Sequence, residues 1–275
     1  MPLVTLTSDI GHQDYLVGAI KGRLLRINPA FQIIDITHQL SPFNYPQAAY
    51  VCRSAIKNFP EFTYHIILVN LFESKPDQML FAFNRDQYIL CADNGLMGMI
   101  LEEKPEMMLG IPMEKTAIKN TLYCIDVAAK AITQLTNGAP VQNIGIPDTA
   151  YIEKNALRPL LGEDWIEGQI IFIDNFENVV VNITQEQFEQ QRKGRRFRIL
   201  FKRDEVIDRI SGSYADVPQG EKLVLFNSAG YMEIAINKGN AAGLFGLRGY
   251  SENAQALSSL VQNRLFYQTV KVLFE

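Results

Sequence analysis

Residues 4–37, VTLTSDIGHQDYLVGAIKGRLLRINPAFQIIDIT, decide the fold of this chain. Residues 4–8 and 32–37 predict strands, and residues 14–27 between them predict a helix. Apolar residues recur in this helix at spacings of three and four, at Leu16, Ile20, Leu24 and Ile27. A strand, a helix and a second strand in this order predict an α/β layer fold with a largely parallel sheet.

The same alternation continues through the first half of the chain. It predicts helices over residues 47–59, 96–102 and 126–136, a strand over 64–70, and a hairpin that pairs 79–83 with 87–91. From about Trp165 the segments become short and β-rich, and helical periodicity largely disappears. We therefore predict an α/β domain over residues 1–150 and an all-β domain, a small barrel, over residues 165–275. A proline-containing linker is placed within residues 138–162.

The composition excludes several classes of protein. The 275 residues are 47% hydrophobic and 20% charged, which is ordinary for a globular chain and unlike disordered, collagenous or coiled-coil sequences. A net charge of −4 argues against a general nucleic-acid binder, and the basic run at 192–196 is interpreted as a solvated loop. Apolar runs are far shorter than the ~20 residues that cross a bilayer. The first residues have no signal-peptide pattern, so a cytoplasmic location is expected.

Polar residues follow several of the predicted strands. Ligands of open α/β sheets bind beyond the carboxyl ends of the strands, and this rule selects residues 7–11, 35–38, 69–70 and 92–95. Asp9 is the most informative of them, because a carboxylate at a strand end can accept hydrogen bonds from both hydroxyls of a ribose. Capping of the following helix explains Asp9 equally well at this point.

Other chemistries find little support. His12 and His38 lie near the predicted crevice but form no recognised zinc spacing, and the three cysteines include no Cys-x-x-Cys pair. No Gly-x-Gly-x-x-Gly, Walker or Gly-x-Ser-x-Gly motif is present. Neither a metal nor a resident cofactor is therefore predicted. In the second domain, the loops at 174–178, 214–216 and 227–231 suit a planar base or a zwitterion, and turn chemistry explains them equally well.

Taken in order, these motifs resemble those of the S-adenosyl-L-methionine (SAM) hydroxide adenosyltransferases. Members of that family hydrolyse SAM to adenosine, and the fluorinating and chlorinating enzymes are related to them. The matching strings are TSDIG at 7–11 with Asp14, IDITH at 34–38, DNGL at 93–96, IDNF at 173–176 with Asn178, YAD at 214–216 and NSAG at 227–230. No single string is specific, and the resemblance depends on their order and spacing over nearly the whole chain.

The resemblance implies a fold, an assembly and a reaction. The fold would be a Rossmann-like N-terminal domain followed by a C-terminal β-barrel. The assembly would be a homotrimer that holds SAM between one subunit's N-terminal domain and its neighbour's barrel. In the reaction, water or a halide attacks C5′ of the adenosyl group and expels methionine. SAM is then the substrate, and no cofactor takes part.

The resemblance also implies binding roles for individual residues. Asp9 would hold the ribose diol and Asp14 the methionine ammonium group, with Asn94 as a further binding candidate at the same sheet edge. From the neighbouring barrel, the methionine or adenine would be contacted by Asp174, Phe176, Asn178 and Ser228.

The chain departs from the family pattern where the nucleophilic water is held. The hydrolases orient this water with an Asp, an Arg and a His, and the corresponding residues here are Asn70, Asp77 and Tyr123. An aspartate in place of the arginine reverses a charge, so the predicted activity is weak. Two functions stay open: a slow hydrolase in which one of these three residues orders the water, and a catalytically silent SAM- or adenosine-binding protein. A nucleoside enzyme with a different leaving group is the weakest hypothesis.

Use of a halide ranks well below hydrolysis at this stage. Glu73 and Asp77 lie in the same loop as the replaced residues, and two carboxylates would repel an anion there.

Overall fold

The computed structural model describes residues 1–73, 77–201, 205–247 and 268–275. The chain divides into two compact units, Met1–Ala156 and Leu157–Glu275, called unit 1 and unit 2 below. The division falls inside the proline-containing stretch at 138–162. Among the described residues, no helix has the length and apolar character needed to cross a bilayer.

Unit 1 is built on a seven-stranded mixed sheet. Its strands are β1 (Leu3–Ser8), β2 (Gln32–Thr37), β3 (Tyr64–Leu68), β4 (Gln78–Asn84), β5 (Gln87–Ala92), β6 (Met107–Pro112) and β7 (Ile146–Pro147). Their order is β2-β1-β3-β5-β4-β6-β7. The β2, β1, β3 and β5 strands are parallel, whereas β4, β6 and β7 join through antiparallel pairs. The sheet is therefore mixed rather than largely parallel, because the predicted hairpin β4–β5 inserts into it.

Helices cover both faces of this sheet. They are α1 (Leu16–Ile27), α2 (Tyr45–Ile56), α3 (Leu96–Leu101) and α4 (Thr121–Thr136). Strand β3 is buried throughout, and its residues alternate between two cores: Ile66 packs with α1 and α4, whereas Ile67 packs with α2 and α3. In α1 the buried side chains include Ile20 and Leu24, as the predicted spacing requires. The sheet is thus held between two helical layers, and its strand ends remain available for a site.

Two asparagines fix the starts of helices in unit 1. The Asn44 side chain accepts the backbone N–H of Gln47 at the start of α2, where Pro46 occupies the first turn. The Asn120 side chain likewise accepts the N–H of Tyr123, so α4 begins about five residues before its predicted start. The apolar spacing of α4 covers only its later turns, and its beginning is set by this cap.

A buried histidine links three strands at the interior of unit 1. His65 Nδ1 lies 2.7 Å from Thr5 Oγ1, and its Nε2 lies 3.0 Å from Gln87 Oε1. The Gln87 side-chain amide Nε2 donates hydrogen bonds to the carbonyls of Phe59 and Pro60. Burial lowers the pKa of His65 to about 4, although the hydrogen bond to Gln87 opposes this shift. His65 is therefore a neutral structural residue.

We expect unit 1 to lose stability between about pH 6.5 and pH 4. As the pH falls through this window, the unfolded chain protonates His65 while the folded chain does not, so the free energy of unfolding drops by up to ~1.4 kcal/mol per pH unit. Urea denaturation followed by far-ultraviolet circular dichroism at pH 7 and pH 5 measures the drop. The His65→Gln variant removes this titration and serves as control; an equally steep drop in that variant would assign the effect to other groups.

Unit 2 is an antiparallel, barrel-like sheet of eight strands. Its strands are β8 (Leu160–Leu161), β9 (Trp165–Ile173), β10 (Val179–Thr184), β11 (Phe197–Leu200), β12 (Val206–Ile207), β13 (Lys222–Phe226), β14 (Tyr231–Ile236) and β15 (Thr269–Phe274). The order runs β12-β11-β15-β9-β10-β14-β13, with β8 paired to β9. In the described parts of unit 2, no pairing joins β12 to β13, so the sheet does not close completely.

Unit 2 is not all-β, because it contains helix α5 (Gln185–Arg192). A capping box explains the helix: Thr184 accepts the N–H of Gln187, and the Gln187 side chain accepts the N–H of Thr184. The basic run follows this helix directly. There Arg192 pairs with Glu189 at 3.4 Å, and Arg195 pairs with Asp164 at 2.5 Å.

Candidate active site

The carboxyl ends of β1 and β3 meet where the strand order of unit 1 reverses direction. Strand β1 has β2 on one side and β3 on the other, which is the switch point where α/β sheets bind ligands. Asp9 follows β1 directly, and Asn70 lies two residues beyond β3. The Asn70 N–H donates to Asp9 Oδ2 at 2.9 Å, so the two loops are tied together. Asp9 and Asn70 thus meet at the predicted sheet edge.

Asp9 is half-buried and is not the residue that caps α1. Burial raises its pKa above the ordinary value, while the backbone N–H groups of Asn70 and of Asp9 itself oppose the shift. The contact at the start of α1 is made by the exposed Asp14, whose Oδ1 accepts the Leu16 N–H at 2.8 Å. The structure therefore removes the capping explanation for Asp9 and leaves its carboxylate to the crevice.

A chain of polar groups that runs from the interior to the surface supports the Asp9 loop. Ser8 Oγ lies 2.7 Å from His38 Nδ1, and His38 Nε2 lies 3.3 Å from Asp35 Oδ1. Lys21 in turn contacts Asp35 Oδ2 at 2.5 Å, and the Gly11 N–H donates to the His38 carbonyl at 2.6 Å. Burial lowers the pKa of His38 although Asp35 opposes this, so the imidazole is neutral near pH 7. His38 fixes the turn that carries Asp9 and is not exposed to a ligand.

Asn70 and Asn94 brace the end of β3. Asn70 has a left-handed backbone, with φ of 47°, and its Oδ1 accepts the Phe43 N–H at 2.9 Å. Asn94 is buried; its Nδ2 donates to the carbonyls of Val69 and Asn70 at 2.9 and 3.1 Å, and its Oδ1 accepts the Leu96 N–H. Asn94 therefore lies at the predicted sheet edge, but its side chain is engaged in holding the loop.

Three residues that the sequence interpretation did not join lie beside Asn70, and we call them the Tyr45 cluster: Tyr45, Glu73 and Lys154. The Tyr45 hydroxyl donates to Glu73 Oε2. Lys154 Nζ lies 2.9 Å from the same oxygen and 3.7 Å from the centroid of the Tyr45 ring. Lys154 is 81 residues from Glu73 in sequence, so no local motif signals this contact.

Asp77 and Tyr123, the other predicted catalytic residues, are held by different partners. Asp77 lies 3.4 Å from Lys119 Nζ, and 84% of its side chain is exposed. The Tyr123 hydroxyl accepts the Glu114 N–H at 2.8 Å. Among the described hydrogen bonds and ion pairs, none joins Asp77 or Tyr123 to Asn70. The structure thus places Asn70 at the crevice and gives the other two residues separate attachments.

The two carboxylates expected to repel a halide are each paired with a lysine. Glu73 is paired with Lys154 at 2.9 Å and Asp77 with Lys119 at 3.4 Å. Each negative charge in this loop therefore has a lysine beside it, and repulsion of an anion by the two carboxylates does not follow.

The predicted binding residues of unit 2 lie on two tight turns. Asp174 Oδ1 accepts the N–H groups of Phe176 and Asn178 at 2.9 and 2.8 Å, and Asp174 Oδ2 accepts Asn178 Nδ2 at 2.9 Å. These bonds leave the Phe176 ring 75% exposed. Ser228 is exposed on a second turn, which Asn227 Oδ1 holds through the N–H groups on either side of Gly230. Asp174 and Asn178 shape their loop, whereas Phe176 and Ser228 face solvent.

Glu233 is a buried carboxyl group near these turns, and the sequence analysis gave it no role. It is 3% exposed, and the Tyr214 hydroxyl donates to its Oε1 at 2.6 Å. Burial raises the pKa of Glu233, the bond from Tyr214 opposes this, and the charge of Asp174 adds to it. Within the described ranges, no group of three or more His, Cys, Asp or Glu side chains is arranged to hold a metal ion.

Fold and site together define a two-unit protein whose α/β unit gathers polar side chains at the switch point of its sheet. Comparison of the sequence with known protein families identifies the family. Residues 4–145 match the SAM hydroxide adenosyltransferase N-terminal domain, and residues 168–252 match the C-terminal domain of the same family. The chain belongs to the SAM hydroxide adenosyltransferase family.

Similar proteins with assigned names support this placement. The chain is 26% identical to the (R)-S-adenosyl-L-methionine hydrolase of Thermus thermophilus, over 89% of this chain and 96% of the relative. It is 28% identical to the (R)-S-adenosyl-L-methionine hydrolase of Methanocaldococcus jannaschii, over 68% and 69%. A fluorinase from Actinoplanes is 23% identical, over 86% and 91%. Among solved structures, an uncharacterized conserved protein from Thermotoga maritima superposes with a TM-score of 0.79 at 25% identity, covering 98% of this chain and 99% of that one.

Proposed function

We propose that this protein hydrolyses SAM to adenosine and L-methionine, with water attacking C5′ of the adenosyl group in line with the departing sulfur. The observation that carries the proposal is the Asp9 carboxylate, held at the β1–β3 switch point by the Asn70 amide in a chain of this family. Relatives that align over most of the chain are named (R)-S-adenosyl-L-methionine hydrolases, which supports water as the nucleophile.

The residues of unit 1 would act mainly by positioning. Asp9 accepts hydrogen bonds from the two ribose hydroxyls, which fixes C5′ relative to the loop after β3. Asp14, which is exposed before the start of α1, would meet the methionine ammonium group. Methionine leaves a sulfonium as a neutral thioether, so the leaving group needs no proton. The enzyme chiefly has to orient and desolvate the attacking water.

We take unit 1 as Rossmann-like, unit 2 as a β-barrel, and the active protein as a homotrimer in which a neighbour's Phe176 and Ser228 complete the site. The exposure of these two side chains supports a contact outside their own turns. A solution mass equal to that of one chain at micromolar concentration would rule out the shared site.

The proposed reaction is tested by incubating the protein with SAM in H₂¹⁸O and analysing the products by mass spectrometry. We expect adenosine that carries ¹⁸O at its 5′ position, together with unlabelled methionine. Because Asn70, Asp77 and Tyr123 replace the water-orienting triad, we expect turnover about 100-fold or more below that of triad-bearing relatives.

Two other results of this incubation would contradict the proposal. Binding of SAM by calorimetry without any adenosine would assign the protein to the silent binders. A 5′-chloro-5′-deoxyadenosine product in the presence of chloride, with no ¹⁸O-labelled adenosine, would assign it to the halogenating relatives.

A further inference from the structure

The Tyr45 cluster has no role in the fold-supporting hydrogen bonds of the crevice described above. Its carboxylate is bonded on both sides: the Tyr45 hydroxyl donates to Glu73 Oε2, and Lys154 Nζ lies 2.9 and 3.2 Å from the two carboxylate oxygens. The three side chains come from the start of α2, the loop after β3 and the segment after β7. A cluster assembled from three distant segments beside the ligand crevice calls for a functional explanation.

The position of Lys154 is fixed by its own segment. The Ile152 N–H donates to Asp93 Oδ1 at 2.7 Å, and Gln78 Nε2 donates to the Ala150 carbonyl at 2.8 Å, so the segment is attached at the carboxyl end of β5. Gly95 has a positive φ of 90°, and a Cβ atom there would collide with the Lys154 side chain. A side chain at position 95 would therefore displace the Lys154 side chain from its present path to Glu73.

Asn70 contributes a buried donor next to the cluster. It is 7% exposed, its Oδ1 is occupied by the Phe43 N–H, and its Nδ2 has no hydrogen-bond partner among the described residues. The Asn70 side chain lies close enough to the Tyr45 oxygen to lower the pKa of Tyr45, as a hydrogen-bond donor does. Because Nδ2 carries two hydrogens, one can point to the Tyr45 oxygen and the other to a small acceptor such as a water oxygen.

We infer that the Tyr45 cluster is a proton relay for the attacking water, with Tyr45 as the catalytic residue and Glu73 and Lys154 as positioning residues. The inference rests on the proposed hydrolysis of SAM. Asn70 Nδ2 donates to the oxygen of the water and orients it, while the Tyr45 oxygen accepts one of its hydrogens. Asp9, joined to Asn70 through the backbone, holds the ribose on the other side.

The step balances with the groups present. The bond from water oxygen to C5′ forms as the C5′–sulfur bond breaks, and the electron pair of the broken bond leaves with methionine. One water proton moves to the Tyr45 oxygen while the hydroxyl proton of Tyr45 moves to Oε2 of Glu73. Glu73 then releases the proton to solvent, to which 41% of its side chain is exposed.

The charge states of the cluster agree with this direction of transfer. Burial would raise the pKa of Glu73, but the hydrogen bonds from Tyr45 and Lys154 outweigh it and keep the carboxylate ionised. Burial and the hydrogen bond to Glu73 raise the pKa of Tyr45, so the phenol keeps its proton until another arrives. Tyr45 therefore conducts a proton and does not act as a free base.

The relay is tested by separating turnover from binding. We expect Tyr45→Phe and Glu73→Gln each to lower kcat for SAM hydrolysis about 100-fold while the Kd for SAM changes less than about twofold. The double variant should be no slower than either single variant, because the two residues act as one unit. Lys154→Met should lower kcat about 10-fold, and Lys154→Arg should restore most of the loss.

Two control variants remove a tyrosine hydroxyl and a lysine-paired carboxylate at positions away from the Tyr45 cluster. Tyr88→Phe deletes a hydroxyl at the opposite end of the sheet, and Glu205→Gln breaks a carboxylate–lysine pair in unit 2, where Lys222 Nζ lies 2.5 Å from Glu205. Both should retain wild-type kcat. Wild-type kcat in Tyr45→Phe, an effect confined to Kd, or additive losses in the double variant would overturn the relay alone. A wild type that forms no adenosine would overturn the proposed function and the relay with it.

Discussion

Asp9→Ala is expected to weaken adenosine binding roughly 30- to 700-fold, a loss of about 2 to 4 kcal/mol. Charge-assisted hydrogen bonds contribute about 1.5 to 3 kcal/mol each and are not additive, so two bonds to a ribose diol give this range. Titration calorimetry at neutral pH measures it directly. Affinity should also fall as the pH drops through the pKa of Asp9, which burial raises, because a protonated carboxyl group accepts the two hydroxyls poorly.

Asp9→Asn separates the contribution of the charge from that of the loop. An asparagine can still accept the Asn70 N–H, so the loop is kept and only the charge is lost. Asp86→Asn makes the same change before β5, at the opposite sheet edge, and should leave affinity unchanged. For the wild type, 2′-deoxyadenosine should bind less tightly than adenosine, whereas Asp9→Ala should bind the two alike. Equal adenosine affinity in wild type and Asp9→Ala would exclude Asp9 from the site.

The parts of the fold that the sequence predicted depend on local periodicity. The β1-α1-β2 unit and the β4–β5 hairpin were predicted correctly, because their apolar spacing and turn residues lie within a few residues of one another. Strand β6 was not predicted. It forms because it pairs with β4, and its MMLGIP sequence has no clear alternation. Local pattern therefore predicts elements but misses those that exist through pairing with distant strands.

Helix α5 shows a different kind of miss. Thr184 and Gln187 have the spacing of a capping box, which the sequence displays, but the helix buries only Phe188. With one buried side chain in eight residues there is no apolar periodicity to detect. The capping box was the one sequence feature that indicated a helix here, and it was not used because the neighbouring segments predict strands.

For the site, strand-end position was the informative rule. It selected Asp9 and Asn70, which the structure joins at 2.9 Å. It did not select Tyr45 or Lys154, because their meeting with Glu73 depends on how segments far apart in sequence return to one sheet edge. The roles given to Asp77 and Tyr123 came from resemblance to the family, and their positions here depend on Lys119 and on the Glu114 amide.

The largest stability effect is expected for Phe188→Ala in unit 2. Phe188 is fully buried, and its ring centroid lies 5.0 Å from that of Phe197, 5.5 Å from Phe226 and 5.7 Å from Phe274. Truncating such a residue removes its apolar burial and leaves a cavity, which costs about 3 to 5 kcal/mol of unfolding free energy. The single tryptophan, Trp165, lies in β9 of the same unit, so its fluorescence during urea denaturation reports unit 2.

The control for this measurement is Phe176→Ala, a truncation of the same chemistry at a ring that is 75% exposed. It should change the unfolding free energy by less than about 0.5 kcal/mol. Should Phe188→Ala fail to fold, Phe188→Leu keeps most of the volume and is expected to cost about 1 to 2 kcal/mol. A loss below about 1 kcal/mol in Phe188→Ala would mean that α5 can leave the sheet of unit 2 without cost. Helix α5 connects β10 to β11, so this result would mean that the sheet of unit 2 is stable without the packing of the helix. The four phenylalanine rings would then not form the main core of unit 2.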